Sequence, residues 1–286
     1  MEITFRSLEQ VAFDELFNAF HSAFADYEIS ISKEELRLML VRRGFDASLS
    51  VGAFDGDRLV SFILNGTGTF QGLPTAYDTG TGTAKSYRGQ GLVTRLFNES
   101  LPALREAGIK QYLLEVLQNN DKAISLYKRL GFEVTRSFHY YRQSQSQLTL
   151  PPKALLEGFS LQETSLPADD IAESFADFHP SWQNTIEAFH RNPETFYCVT
   201  CCHEGIPVGY GISEFETGDI SWLSVDKRHR RIGIGTALLK SLLEKITTEQ
   251  AKVVNTASDA ESLNAFLEVC GFPLGGKQYE MIQNFK

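Results

Sequence analysis

SYRGQGLVTRLF, Ser86–Phe97, sets an arginine and two glycines directly before a run with helical spacing, and KRHRRIGIGTALL, Lys227–Leu239, repeats the arrangement. Arg88 and Arg230 lie 142 residues apart, and the later glycines Gly131 and Gly271 lie 140 apart. An offset held that closely marks a duplicated unit. Each copy is preceded by a strand–turn–strand pattern, LSVGAFDGDRLVSFIL (Leu49–Leu64) and TFYCVTCCHEGIPVGYGI (Thr195–Ile212), with Asp55-Gly56-Asp57 and Glu204-Gly205 at the turns.

Working outward, LVTRLFNESLPALREAG reads as a helix, with Leu92, Leu96, Leu101 and Leu104 near helical spacing and Gly108 as its stop. KQYLLEVL is a buried strand, and DKAISLYKRLGF is a second helix with Ala123, Leu126, Tyr127 and Leu130 on one stripe, ended by Gly131. Each half therefore reads as helices, a hairpin, then strand–helix–strand–helix–strand, which predicts a parallel pair inside a mixed sheet. Periodicity lapses in RQSQSQLTLPPK, Arg142–Lys153, which is polar and carries a Pro-Pro pair. The expected domains are residues 1–145 and 155–286.

The gross numbers agree with two domains: 286 residues, 42% apolar and 22% charged, with 21 Phe and 10 Tyr to fill two cores. The net charge of −9 argues against a nucleic-acid partner, since a phosphate backbone needs a basic face. The sequence shows neither a basic leader followed by an apolar stretch nor an apolar run long enough to cross a bilayer, so a soluble, cytoplasmic protein without a membrane partner is expected. Cys198, Cys201, Cys202 and Cys270 all fall in the second half. Strand alternation sends Cys198 and Cys202 to one side and Cys201 to the other, which suits buried thiols better than a metal site. No metal is expected.

The first amides of a helix lack intrahelical acceptors and lie at the positive end of its dipole, so a glycine-rich strand-to-helix turn is ready to hold an anion. In RGQGLV the amides from Gly89 to Val93 have the arrangement to cradle a pyrophosphate, with Arg88 close by. Neither copy is a GxxxxGK[ST] loop, and a glycine turn after a hairpin does not fit a dinucleotide fold.

SYRGQGLVTRLF with LEVLQNNDKAISLYKRLGF resembles the GNAT superfamily of N-acetyltransferases, and RRIGIGTALL with VCGF resembles a second, drifted copy. The motifs cover about fifty residues of the first half. The resemblance implies an α/β chain of two tandem GNAT-like domains, each a mixed, mostly antiparallel sheet flanked by helices. It also implies acetyl-CoA as co-substrate. The cofactor residues it implies are Thr83, Arg88, Gly89, Gln90, Gly91, Leu92, Val93 and Asn120 in the first copy, and Val225, Arg230, Arg231, Ile232, Gly233, Ile234 and Gly235 in the second. Val93 departs from the family's small residue, whereas Gly235 matches it.

Acetyl transfer to an amine needs a base for the amine and an acid for the departing thiolate. Tyr127 stands where the resemblance places that acid, and its phenol is protonated at neutral pH. The alternative for Tyr127 is a core aromatic on an amphipathic helix. Glu115, an ionisable group within YLLEVL, is the candidate base, with a buried ion pair or a sheet-edge glutamate as the alternative. A shift of 140 residues puts Leu267, Asn255 and Ala260 opposite Tyr127, Glu115 and Asn120, so the second copy keeps a cofactor turn without the acid and base. The acceptor is expected to be a primary amine of a small molecule or peptide. It would meet Phe24–Gly44 and a loop at Thr67–Gly82, where Asp26, Glu28 and Asp78 attract an ammonium and Tyr27 or Tyr77 flank it. Competing readings are a non-catalytic acyl-CoA sensor or scaffold, a different acyl donor, and a transferase whose active copy is the C-terminal one. A homodimer is the assembly to test.

Overall fold

The computed structural model describes residues 3–26, 31–152, 154–167 and 174–285. The chain divides into two compact units, Met1–Thr135 with Glu280–Lys286, and Arg136–Tyr279.

The first unit opens with β1 (Ile3–Ser7), then α1 (Phe13–Ala23) and α2 (Lys33–Arg42), followed by β2 (Val51–Asp55), β3 (Arg58–Phe70), β4 (Leu73–Thr83), α3 (Leu92–Glu106), β5 (Gln111–Leu117) and α4 (Asp121–Arg129). Its strands lie in the order β1-β2-β3-β4-β5, antiparallel except for β4 and β5. The opening edge strand was not foreseen, because five residues with alternating burial give little signal by themselves. Helix α2 starts with a reciprocal cap: the Glu35 amide donates to Ser32 Oγ at 3.1 Å and the Ser32 amide to Glu35 Oε2 at 2.7 Å. Leu16 and Ala23 of α1 and Leu36 and Leu40 of α2 cover Phe54, Phe62 and Leu64 of the sheet.

The second unit repeats this plan. It holds most of β6 (Glu133–Ser144), then β7 (Phe159–Glu163), α5 (Ile186–His190), β8 (Phe196–His203), β9 (Ile206–Glu214), β10 (Asp219–Val225), α6 (Ile234–Lys245), β11 (Gln250–Ala257), α7 (Glu261–Val269) and the first part of β12 (Leu274–Asn284). The order within this unit is β7-β8-β9-β10-β11-β6-β12, and again one internal pair, β10 with β11, is parallel. Leu238, Leu239 and Leu242 of α6 and Leu267 of α7 are fully buried in its core. The four cysteines are free and buried, Cys198 and Cys201 in separate clusters, and burial pushes the Cys201 and Cys270 thiols up to about 11.

Two segments differ from the expectation. Thr67–Gly82, read as a loop, is most of a long hairpin: β3 runs to Phe70, Gln71 (φ 51°) and Gly72 (φ 76°) turn, and β4 starts at Leu73. Its Thr and Gly content hides the strands, whose pairing is supplied by neighbours. The polar stretch from Arg142 was expected to be linker, yet Arg142, Gln143 and Ser144 continue β6 and pair with Lys252, Ala251 and Gln250. The units divide at Thr135/Arg136 instead of near residue 145, and the end of β12 joins the first unit, where the Phe285 amide donates to the Lys110 carbonyl at 2.8 Å. Each unit is thus completed by a strand that follows the other repeat's last helix.

Candidate active site

The parallel pairs shape the site. β4 and β5 are registered through Thr75–Gln111, Ala76–Tyr112 and Tyr77–Leu113, and both strands then continue beyond the pairing. In the second unit the register of β10 with β11 is Asp219–Lys252. A bulge sits at the same place in each copy, at Thr79 and, 142 residues later, at Ser221. Side chains leaving the strands near these points face the gap that opens between them.

Past the gap each chain makes a single 3₁₀ turn, Lys85–Tyr87 or Lys227–His229, and enters α3 or α6 through a glycine in the left-handed region, Gly91 at φ 73° or Gly233 at φ 104°. Gly89 is also left-handed at φ 78°, and its counterpart Arg231 adopts φ 68°, a conformation that glycine takes at less cost. A Cβ built on Gly89 or Gly91 meets nothing within 4 Å, so the space before the amides of Gly89, Gln90, Gly91, Leu92 and Val93 is open. That openness, at the N-terminus of a 15-residue helix, fits a phosphate-bearing group. Leu92 and Ile234, the first helical residues, are buried, and Ile232 packs against the second core.

The paired arginines do another job. Arg88 donates from Nε to the Thr83 carbonyl at 3.1 Å, from Nη2 to the Ala23 carbonyl at 2.9 Å and from Nη1 to Asp26 at 2.9 Å. Arg230 repeats this with the Val225 carbonyl at 2.8 Å, the Phe175 carbonyl at 3.5 Å and Asp177 at 3.0 Å. Each guanidinium fastens the end of a strand to the segment before the hairpin, leaving the amides as what the turn presents to an anion. Lys85 and Arg88 hold the Asp26 carboxyl below the usual carboxylate range. Asn120 caps α4, its Oδ1 accepting from the Ala123 amide at 3.2 Å. Gly235 lies beside the Phe266 ring, where a Cβ would sit at an ordinary contact distance of 3.5 Å, and it lines a cavity of the second unit.

Glu115 and Tyr127 are held apart by successive residues of β4. The Tyr77 hydroxyl donates to Glu115 Oε2, while the Tyr127 hydroxyl donates to Asp78 Oδ2 at 3.0 Å. Alternation sends Tyr77 and Asp78 to opposite faces of the strand, so β4 holds one candidate from each face. Thr81 Oγ1 also donates to Asp78 Oδ2, at 2.7 Å, and Asp78 Oδ1 is buried with no hydrogen-bond partner among the described residues. Burial raises the Asp78 carboxyl; hydrogen bonds from Thr81, Tyr127 and the Gly80 backbone, and the charge of Arg43, pull the other way without cancelling it. Burial, then the Glu115 charge, keeps the Tyr77 phenol well above its ordinary value and therefore neutral. Arg43 donates to the Thr79 carbonyl at 3.0 Å with its guanidinium 5.9 Å from the Tyr77 ring. The sequence reading gave Asp78 the task of attracting an ammonium and Tyr77 that of flanking it. Reading Thr67–Gly82 as a loop hid the signal, the parallel pairing of β4, which carries Tyr77-Asp78, with β5, which carries Leu114-Glu115-Val116. Tyr27 and Glu28 lie outside the described residues.

The second unit holds a cavity of about 470 Å³ between β10, β11 and the ends of α6 and α7. Ile220 and Leu267 line it at the positions equivalent to Asp78 and Tyr127. Asn255, opposite Glu115, donates to Ser181 Oγ at 3.2 Å and accepts from Gln278 at 2.9 Å. No cluster of three or more metal-ligating side chains occurs among the described residues.

A family model described as "Acetyltransferase (GNAT) family" matches residues 12–132 and again 159–272, well over half of the chain. The chain belongs to the GNAT acetyltransferase family. Membership places it among the acyltransferases, with two GNAT repeats. Among curated proteins it is similar to N-alpha-acetyltransferase 30 of Schizosaccharomyces pombe, 33% identical over 91 residues, covering 31% of this chain and 61% of that one. It is also similar to an N-alpha-acetyltransferase of Sulfurisphaera tokodaii, 32% identical over 111 residues, covering 35% and 66%. The chain thus spans less than two thirds of the length of either relative. Solved structures share the tandem GNAT fold. A tandem GNAT protein from the clavulanic acid biosynthesis pathway has a TM-score of 0.73 at 14% identity, covering 99% of this chain and 98% of that one. A GCN5-related N-acetyltransferase from Sphaerobacter thermophilus has a TM-score of 0.71 at 15% identity, covering 99% and 95%.

Proposed function

We propose that the N-terminal unit transfers an acetyl group from acetyl-CoA to a primary amine, with Glu115 as base and Tyr127 as acid. The observation that carries this reading is the pair of carboxylate–tyrosine contacts at the β4–β5 gap, Tyr77 with Glu115 and Asp78 with Tyr127, and the loss of their chemistry at the matching positions of the second unit. The amides of Gly89–Val93 hold the pyrophosphate of acetyl-CoA, which supplies the acyl group as a thioester. Glu115 takes the proton that keeps the acceptor amine from attacking, directly or through water. Tyr127 gives its proton to the leaving sulfur. Tyr77 orients Glu115 by its hydrogen bond. The names of the curated relatives favour the α-amine of a peptide as acceptor.

Labelled acetyl-CoA incubated with short peptides tests this. Label is expected on peptides with a free N-terminus and not on the same peptides blocked there, and Glu115→Gln is expected to lower kcat about 100-fold. Transfer to lysine side chains alone would overturn the acceptor class, and a fully active Glu115→Gln would remove Glu115 from the chemistry.

The cavity of the second unit supports a companion role: an acyl-CoA held there without turnover. Calorimetric titration with acetyl-CoA distinguishes the two turns. Gly91→Trp, which fills the open space before the first set of amides, is expected to abolish transfer and one binding event, whereas Gly233→Trp leaves transfer in place. The reverse pattern would make the C-terminal copy the active one.

A further inference from the structure

Asp78 is half-buried, with its Oδ1 sealed from solvent, and the second unit shows that the fold can do without a carboxyl here. The same strand position of the second unit is Ile220, 1% exposed, and the helix position facing it is Leu267, 0% exposed, where the first unit has Tyr127. Two copies of one architecture thus fill this spot either with two aliphatic side chains or with a carboxyl and a phenol. Burying a carboxyl is expensive when an isoleucine serves the packing. The polar version is therefore tied to what the first unit does, and in the second unit both members are replaced.

The contacts specify the task. A carboxylate accepting the Tyr127 hydroxyl at 3.0 Å would draw that proton away from any other acceptor. A protonated Asp78 reverses the polarity: its own O–H donates to Tyr127 Oη, and the phenolic proton is released to point elsewhere. Thr81 at 2.7 Å fixes Oδ2 in place for this exchange, and Oδ1 is buried without a hydrogen-bond partner among the described residues. The other titratable or charged groups near the pair are Tyr77 of β4, Tyr112 and Glu115 of β5, and Arg43 after α2. Tyr112 is a neutral phenol, well above its ordinary value through burial and then the Asp78 charge, with its hydroxyl donating to Asn65.

We infer that Asp78 is the proton store behind Tyr127, handing its proton to the phenol as the phenol protonates the departing thiolate. The inference rests on the acetyl-transfer reading of this site. The Tyr127 O–H breaks as the S–H forms, and the Asp78 O–H breaks as a new Tyr127 O–H forms. Tyrosine ends unchanged, the thiolate becomes a thiol, and Asp78 is left as a carboxylate. An ammonium sheds two protons in becoming an amide: one leaves through Glu115 to solvent, and the other restores Asp78. Asp78 acts through Tyr127 and is in that sense a positioning residue with a proton to give.

Asparagine at 78 can still hydrogen-bond Tyr127 but has no acid proton, so Asp78→Asn separates holding from giving. In the full-length protein, kcat is expected to fall about 10- to 100-fold with KM for acetyl-CoA unchanged, below the roughly 10²- to 10⁴-fold of a general acid itself because Asp78 acts through Tyr127. The store works only when protonated, so the wild-type rate falls as pH rises through the elevated Asp78 titration, and Asp78→Asn removes that limb. Asp78→Glu restores part of the rate and the limb, and Asp78→Asn/Tyr127→Phe is no slower than Tyr127→Phe alone, since the two act as a unit. Infrared difference spectra give a readout independent of turnover: a protonated-carboxyl band at neutral pH that is absent in Asp78→Asn and displaced in Tyr127→Phe. An Asp78 ionised at neutral pH, or an Asp78→Asn enzyme with the wild-type rate or the wild-type pH profile, overturns the inference while leaving the transferase reading intact. Absence of transfer to every amine sinks both together.

Discussion

Tyr127→Phe is expected to lower kcat by about 10²- to 10⁴-fold while leaving the affinity for acetyl-CoA within a factor of two, the range for loss of a positioned general acid. The substitution removes only the hydroxyl. The ring keeps its edge-on packing against Phe132, with centroids 5.6 Å apart, and Asp78 keeps the hydrogen bond from Thr81. The lost hydrogen bond costs about 1 kcal/mol of stability, too little to unfold a domain. Steady-state kinetics beside calorimetric titration decide the matter. A loss of binding that tracks the loss of turnover would make Tyr127 a structural aromatic, and unchanged turnover would remove it from the reaction.

The second large effect is on stability and reaches the site indirectly. Gly66→Ala would place a Cβ 2.0 Å from the Arg43 carbonyl oxygen and 3.1 Å from Thr79 Cγ2. The first of these is backbone, fastened by the Phe45–Gly66 bridge and the hydrogen bond from the Thr67 amide to the Gly44 carbonyl at 2.9 Å, so the strand or the end of α2 has to move. A cost of about 3 kcal/mol, the upper end for overpacking, is expected as a lower urea midpoint at unchanged m. Arg43 moves with its carbonyl, loosening its hold on Thr79 and its place beside Tyr77, so the residual folded enzyme is also expected to be slower. An unshifted midpoint would mean that α2 is not held against β3 in this way.

What could be read in the sequence was what is local. Gly89 and Gly91 announce a left-handed turn, the leucines after them a helix that Gly108 ends, and Gly131 the end of the next helix, and the structure has α3, β5 and α4 within a few residues of those positions. The hairpins at Gly56 and Glu204-Gly205 follow from turn chemistry alone. The long β3–β4 hairpin was missed because Thr and Gly carry little strand preference by themselves. Gly235, read in RRIGIGTALL as the small residue of the turn, lines the cavity of the second unit beside the Phe266 ring. Tyr77 and Asp78 were visible as chemistry but not as partners. Their partners are 38 and 49 residues away and are fixed only once β4, β5 and α4 have assembled. The destination of β6 was out of reach altogether, because two equivalent strands follow two equivalent helices and only pairing decides which unit each completes.

That exchange of terminal strands bears on how such a gene can change. A chain built from two copies of one unit can ordinarily lose either copy by a single deletion. Here the codons from Glu280 onward finish the first unit, and those of residues 136–144, lying in the first repeat, supply the second. Discarding either half would leave the other unit without its closing strand. Ile220 and Leu267 now hold the positions that Asp78 and Tyr127 hold in the first repeat, yet the repeat around them cannot be dropped on its own, because both units depend on strands encoded in the other half.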